Sequence, residues 1–383
     1  MSLVPLTLFL GILLHKKASA KTVFCPAQQP CTTVFASYNT ITLKCGDQPA
    51  NALVQWQYLE WNQPNTQALT FRQSSGSMPM DNLNRQEHMK VLDLISRSEI
   101  ESGNLKLLSP RVQDSGIYTC KYERRLLASY EIDFQDTTNI YISHVSLGQS
   151  LQPNHSVNLG EVGTAKMFTV WNEWQRCDRC GMSGEMKRLG FCYVMITRNS
   201  FVVETPRPCG LSQSNNSQIR SLHKPELRIK ICMEPCNEIA PTEDEDFMMV
   251  IDNYRTYLHA DVLLTCPMSS IYEAVSWEHG NTTFTRLIQM SQNPSYILDN
   301  TTGGGTLSIP RFNISDEGTY RCYVDQMLVG KFRVIIYNLS DTSEASRSSL
   351  TESIMIGLFM FLGFLFFLSI FQVCKDTAER EIH

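Results

Sequence analysis

The chain has 383 residues, 43% of them hydrophobic and 19% charged, with a formal net charge of -5. That acidic balance, with no basic run anywhere, argues against nucleic acid as a partner. Thirteen cysteines, all but one ahead of an apolar run near the C-terminus, point to an oxidising compartment rather than the cytosol.

Residues 1–20 read as a signal peptide. Leu3 to Leu14 is apolar but too short to span a bilayer, and Ala18-Ser19-Ala20 supplies the small residues of a cleavage site near Ala20. No basic residue precedes the apolar run and His15-Lys16-Lys17 follows it, so a retained anchor is the alternative. Cys25 and Cys31 come next. A local bridge closing a small loop is the default for them, and a link to another chain is the alternative.

An internal repeat then organises most of the chain. Cys45 precedes Trp56 by eleven residues, and LKLLSPRVQDSGIYTC ends at Cys120; Cys266 precedes Trp277 by the same interval, and LSIPRFNISDEGTYRC ends at Cys322. Leu105, Leu107, Asp114, Gly116 and Tyr118 stand at the offsets of Leu307, Ile309, Asp316, Gly318 and Tyr320. Each copy describes a strand with alternating apolar residues, a tight turn, and a second strand with a Tyr two residues before its Cys. Both copies resemble immunoglobulin domains. The resemblance implies two sandwiches, a Cys45–Cys120 and a Cys266–Cys322 bridge between their sheets, a Trp packed on each bridge, and a Tyr hydroxyl bonded back to the backbone. In chain-entropy terms each bridge is worth on the order of 4 kcal/mol. The first cysteine interval suits a variable-type domain, placed with its linker at residues 21–150; the second suits a smaller domain at residues 247–338. The polar stretch Gln63 to Glu87 reads as a long exposed excursion. Arg124-Arg125 falls where the first sandwich would turn a hairpin, a surface pair for which recognition of an acidic partner is the alternative.

Gln149 to Gly160, rich in polar residues, reads as a spacer. Residues 165–237 have another character: Trp171, Trp174, Cys177, Cys180, Cys192, Cys209, Cys232 and Cys236 lie within them. Six cysteines in so short a segment suggest a stapled module with little core. A rippled strand can bring both tryptophans to one side, where guanidinium planes stack between indoles. Zinc ligation by Cys177-x-x-Cys180 with Cys232-x-x-x-Cys236, or a redox dithiol, competes with structural disulfides, which luminal oxidation favours. The stretch WNEWQRCDRCG, with Arg188 at the place of one stacking arginine, resembles a thrombospondin type 1 repeat from about Ala165 to Asn237. That resemblance implies bridges Cys177–Cys232, Cys180–Cys236 and Cys192–Cys209, with Trp171 and Trp174 as candidates for C-mannosylation. The sequence departs from the pattern at three points: the first two cysteines are one residue too close, no Ser or Thr lies between them, and Gly190 stands where a second arginine is usual.

Glu243-Asp-Glu-Asp246 reads as a solvated linker. Asn154, Asn215, Asn281, Asn300, Asn313 and Asn338 each open an N-x-S/T triplet, and all precede the apolar run, so N-glycosylation is expected on the exported face. Residues 339–353 read as a stalk. Ile354 to Val373 carries no charge; about twenty residues at roughly 1.5 Å rise cover a bilayer core of about 30 Å, so a transmembrane helix is expected at 354–373. Residues 374–383 are then a cytoplasmic tail, with Cys374 reduced or palmitoylated. No G-x-S-x-G, H-E-x-x-H or P-loop spacing occurs. No catalytic, metal or cofactor site is expected, and an ectoenzyme is the least favoured reading.

The order of these parts resembles the family with sequence similarity 187, carried by WNEWQRCDRCG and the DSGIYTC/DEGTYRC pair. The resemblance implies an immunoglobulin-like type I membrane protein and supplies no ligand. The expected fold is all-β, with two immunoglobulin-like sandwiches flanking a small disulfide-rich module, plus one transmembrane helix. The expected role is that of a glycosylated type I protein of the plasma membrane or another exocytic membrane, binding a protein ligand or counter-receptor through its distal domain in adhesion or recognition. A receptor subunit signalling through a lateral partner chain is the alternative, disfavoured by the absence of an ionisable residue in the span.

Overall fold

The computed structural model describes residues 21–370 apart from residues 28, 30, 47–52, 62–68, 72–91, 199–201, 204, 213–218, 220–221, 237–251, 292–294, 338–353 and 369. The signal peptide, most of the excursion at 63–87, Asn215, Asn338, the acidic run at 243–246, the stalk, Cys374 and the tail lie outside the described residues.

The first repeat folds as two facing sheets. One has strand order Lys21–Val23, Ile41–Leu43, Asn104–Leu107 and Ser98–Glu101; the other runs Cys31–Ala36, Arg125–Gln135, Gly116–Tyr122, Val54–Glu60 and Leu69–Phe71. Alternation decides which side chains face inward. Val54, Trp56 and Tyr58 are buried while Gln55 is exposed, and Tyr118 and Cys120 alternate with partly exposed Thr119 and Lys121. Leu69–Phe71 is a short strand on Val54–Glu60, so the polar stretch from Gln63 holds sheet structure as well as loop.

The second repeat has the same plan with fewer strands. Asp252–Thr256, Met327–Ile336, Gly318–Val324, Val275–His279 and Thr282–Phe284 form one sheet, and Val262–Thr265, Thr306–Ile309 and Ile297–Leu298 the other. In both sandwiches the first strand of the larger sheet pairs in parallel with its last, Cys31–Ala36 with residues 130–135 and Asp252–Thr256 with residues 332–336.

The cysteine-rich segment is broader than a stapled loop. Its sheet runs Tyr141–His144, Glu226–Met233, Ser183–Arg198, Thr164–Trp171 and His155–Asn158, with Val202–Val203 and Arg207–Pro208 also on the long strand. His155–Asn158 lies within the stretch read as a spacer; its alternating exposure shows an edge strand, a pattern that its polar composition hid. The module also has apolar packing of its own, Ala165, Met167, Val194, Ile196 and Ile219 around Cys192 and Cys209.

Residues 354–368 are helical and exposed throughout. Among the described residues no helix is long and apolar enough to cross a membrane.

Candidate recognition surface

Equivalent side chains pin each sandwich internally. Trp56 Nε1 donates to Gly103 O and Trp277 Nε1 to Gly304 O, both at 2.9 Å, and each indole lies opposite the sheet-joining cysteine in strand register. The Tyr118 hydroxyl donates to Asp114 O at 2.6 Å and the Tyr320 hydroxyl to Asp316 O at 2.7 Å. The two aspartates are held differently. Each accepts from the amide three residues earlier, Arg111 at 2.6 Å and Asn313 at 2.9 Å, but Asp114 also accepts from the Arg97 guanidinium at 2.8 Å and Asp316 from the Tyr296 hydroxyl at 2.7 Å. Arg97 escaped the sequence reading because it has no counterpart in the second repeat.

The sandwiches also touch one another. Asn39, in the loop after Cys31–Ala36, donates to Thr301 O at 2.9 Å and accepts from the Ile271 amide at 2.9 Å, while the Ala36 amide donates to the Tyr272 hydroxyl at 2.5 Å. The cysteine-rich sheet braces this joint from the side. Val34 and Ala36 of the first sandwich, Leu189, Phe191, Leu227 and Ile229 of the sheet, and Ile271 of the second sandwich form one buried cluster. The Gln135 side chain donates to Cys192 O and accepts from Cys192 N, both at 2.8 Å, as a neighbouring strand would, and Asp133 accepts from the Gly210 amide at 2.9 Å. On the other side Glu185 accepts from the Arg286 and Leu287 amides, each at 3.0 Å, and Gln326 donates to Cys177 O at 2.9 Å.

This brace contains ionisable groups at some electrostatic cost. Burial, reinforced by the Arg286 charge, pushes the Lys187 ammonium down to about 7; its Nζ donates to Gly303 O. Burial likewise raises the Asp178 carboxyl to about 6, although the Glu185 amide donates to it. None of these residues carries a sequence signal, because what defines them is the module they face.

Strand directions give the stack two poles. Residues 266–274 and 299–305 of the second sandwich face the first, and the hairpin turn at Asp325 lies at that same end, its amide donating to Ala274 O at 2.9 Å; Met327–Ile336 therefore runs away from the joint. In the first sandwich Ala36 pairs with Gln135 at the joint, so the turn before Arg125 lies at the opposite extreme. The Arg124-Arg125 pair caps one pole and Ile336 the other.

The two tryptophans do lie together. Arg188 stacks between Trp171 at 4.5 Å and Trp174 at 4.6 Å, and Lys230 covers the other side of Trp174 at 4.5 Å. A second arginine has no room at position 190: Trp171 pairs with Gly190 across the strands, and a Cβ there would lie 2.8 Å from the indole and run into Thr169. Lys230 supplies the outer cation instead.

Six disulfides join Cys25 to Cys31, Cys45 to Cys120, Cys177 to Cys232, Cys180 to Cys236, Cys192 to Cys209 and Cys266 to Cys322. Cys177, Asp178 and Cys232 cluster closely enough to suggest a metal, yet both sulfurs are consumed in one disulfide, so the thiolates that zinc requires are absent there. Of the asparagines, Asn154, Asn281 and Asn313 are exposed, and Asn300 is partly buried, accepting from Arg286 at 2.6 Å. Two histidines scattered in sequence come together: His155 and His223 approach at 3.3 Å, and His223 reaches Thr169 at 2.8 Å. Burial holds His223 near 4, hence neutral, and Thr169 links it to Glu226 as part of the packing.

The immunoglobulin domain family matches residues 252–329. Beyond that segment, the Ig-like V-type domain-containing protein FAM187A of Bos taurus is 24% identical over 332 residues, covering 75% of each chain. The Mus musculus FAM187A is 23% identical over 326 residues, covering 77% of this chain and 75% of its own. Over about three quarters of its length this chain is similar to the FAM187A proteins. Extracellular domains 3-5 of Drosophila OTK align over 84% of this chain and 100% of that one at 12% identity, with a TM-score of 0.18, too low to bear on fold or function. The FAM187A likeness spans more of the chain than the immunoglobulin match, so it takes in sequence beyond the second sandwich.

Proposed function

We propose that this chain is a glycosylated type I membrane protein whose extracellular sandwiches bind another protein in adhesion or cell-surface recognition. The observation that carries the reading is the end-to-end stack. The second sandwich runs its last strand away from the joint toward the residues that precede the apolar helix, so the first sandwich stands at the far end. A brace of buried side chains, with three bridges around it, holds that pose. The exposed apolar face of residues 354–368 supports a bilayer anchor, and the six bridges support an oxidising environment.

The test is an arrayed screen in which the multimerised soluble ectodomain, residues 21–350, is presented to individually expressed cell-surface ectodomains. Saturable binding to at least one supports protein recognition. Absence of any binder, or turnover of a substrate by the ectodomain, contradicts it.

A further inference from the structure

Exposed apolar groups and cations converge at the far pole of the first sandwich. Phe24 is 48% exposed, Leu53 79% and Leu126 39%. These are large exposures for side chains that elsewhere in this sandwich form the core, and Phe24 is not loose. The Cys25–Cys31 bridge closes the loop that follows it. That loop is tied to the last strand by Ala27 N to Leu127 O and Ser129 N to Cys25 O, both at 3.1 Å. The Phe24 ring sits over Gly46, where φ is +92° and an added Cβ would come within 3.1 Å of the ring. An aromatic side chain is thus held outward on a glycine platform by a disulfide clip.

Cations lie at the same end of the sandwich. Lys44, Arg124 and Arg125 are exposed, and among the described residues none has a carboxylate in ion-pair range. Glu123 lies in the same turn, and Glu101, at the neighbouring hairpin, is already engaged by Lys106 at 3.7 Å. In a chain with a net charge of -5, this end thus carries three exposed cations beside exposed apolar side chains, against the one carboxylate of Glu123 in the same turn. Aromatic and arginine side chains are the usual anchors of protein interfaces, and the pre-organisation of Phe24 lowers the entropy cost of binding.

We propose that this pole is the docking site, and that its partner is a protein offering an apolar pocket rimmed by carboxylates. Like charge at the pole opposes pairing with a second copy of itself and favours an acidic counter-surface. The proposal rests on the protein-recognition reading above and gives it a place and a chemistry. It also assigns the Cys25–Cys31 bridge a function: presenting Phe24.

The test uses the ectodomain screen with F24A and R124E/R125E, both at exposed positions and each checked for unchanged melting and non-reducing mobility, beside a control, K331E, on the second sandwich. The expected result is a binder with an acidic surface that F24A weakens about tenfold or more. R124E/R125E should slow its association and flatten its salt dependence, and K331E should leave it unchanged. Binders indifferent to both pole variants overturn the docking site while leaving protein recognition standing; no binder at all overturns both. Parallel arms use heparin and phosphatidylserine vesicles. Capture by either that depends on the arginines but not on Phe24 reassigns the pole to a polyanion and overturns the proposal.

Discussion

Replacing Gly190 with alanine separates two accounts of the tryptophan stack by sign. Gly190 lies in the middle of Ser183–Arg198, opposite both Trp171 and Glu226. If it were merely an unfilled strand position, alanine would stabilise by about 0.4–1 kcal/mol through the unfolded chain. The structure leaves no such space, since the new Cβ would lie 2.8 Å from two ring carbons of Trp171 and closer still to Thr169 Cγ2. Overpacking of this kind costs about 1–3 kcal/mol. Shifting the indole off Arg188, now 4.5 Å away, forfeits a further ~0.5–2 kcal/mol. The net expectation for G190A is a loss of about 1.5–5 kcal/mol, read by calorimetry of the ectodomain and by a changed tryptophan emission. T169S removes the clashing methyl and keeps the hydroxyl that bonds His223, so G190A/T169S recovers part of the loss. A G190A protein as stable as its parent, or more so, refutes the account of the stack.

Three further outcomes follow from the joint and the sandwich pins. Y272F removes the acceptor of the buried Ala36 amide and should cost about 1–3 kcal/mol, with faster amide exchange at residues 36–39; exchange unchanged there would show that the hydroxyl does not hold the joint. R97M leaves Asp114 buried beside a neutral side chain and should destabilise the first sandwich by about 3 kcal/mol, measured by urea unfolding, whereas a loss under half that size would mean that the Arg111 amide alone satisfies the carboxylate. Lys187 titrates near 7 when folded and near 10.5 when unfolded. Between those values the unfolded chain holds the extra proton, so stability should rise with pH, by at most about 1.4 kcal/mol per unit. K187M should abolish that rise; an equally steep profile in the variant would place the titration elsewhere.

What was legible in the letters was the repeated part. Cys, Trp and D-x-G-x-Y-x-C recur at fixed offsets because a two-sheet sandwich needs those groups at those points, and the comparisons with FAM187A proteins bear the resemblance out. The joint was not legible. Asn39, Gln135, Glu185, Lys187 and Tyr272 are defined by the module they face, and a single polar residue on a strand reads the same whether its partner is water or a backbone amide across a joint. His155–Asn158 was missed for the related reason that an edge strand with one weakly apolar face has the composition of a spacer. At Gly190 the sequence showed a departure whose cause, the indole lying over that position, is visible only in three dimensions.

The proposed function requires export, with the chain maturing where thiols become crosslinks. The direct measurement is non-reducing peptide mapping of the full-length protein recovered from intact cells with a membrane-impermeant biotin label. It should yield the six pairs from Cys25–Cys31 to Cys266–Cys322, with label confined to residues before the apolar helix. Alkylatable thiols at Cys177 and Cys180, or a protein that the label never reaches, would contradict it.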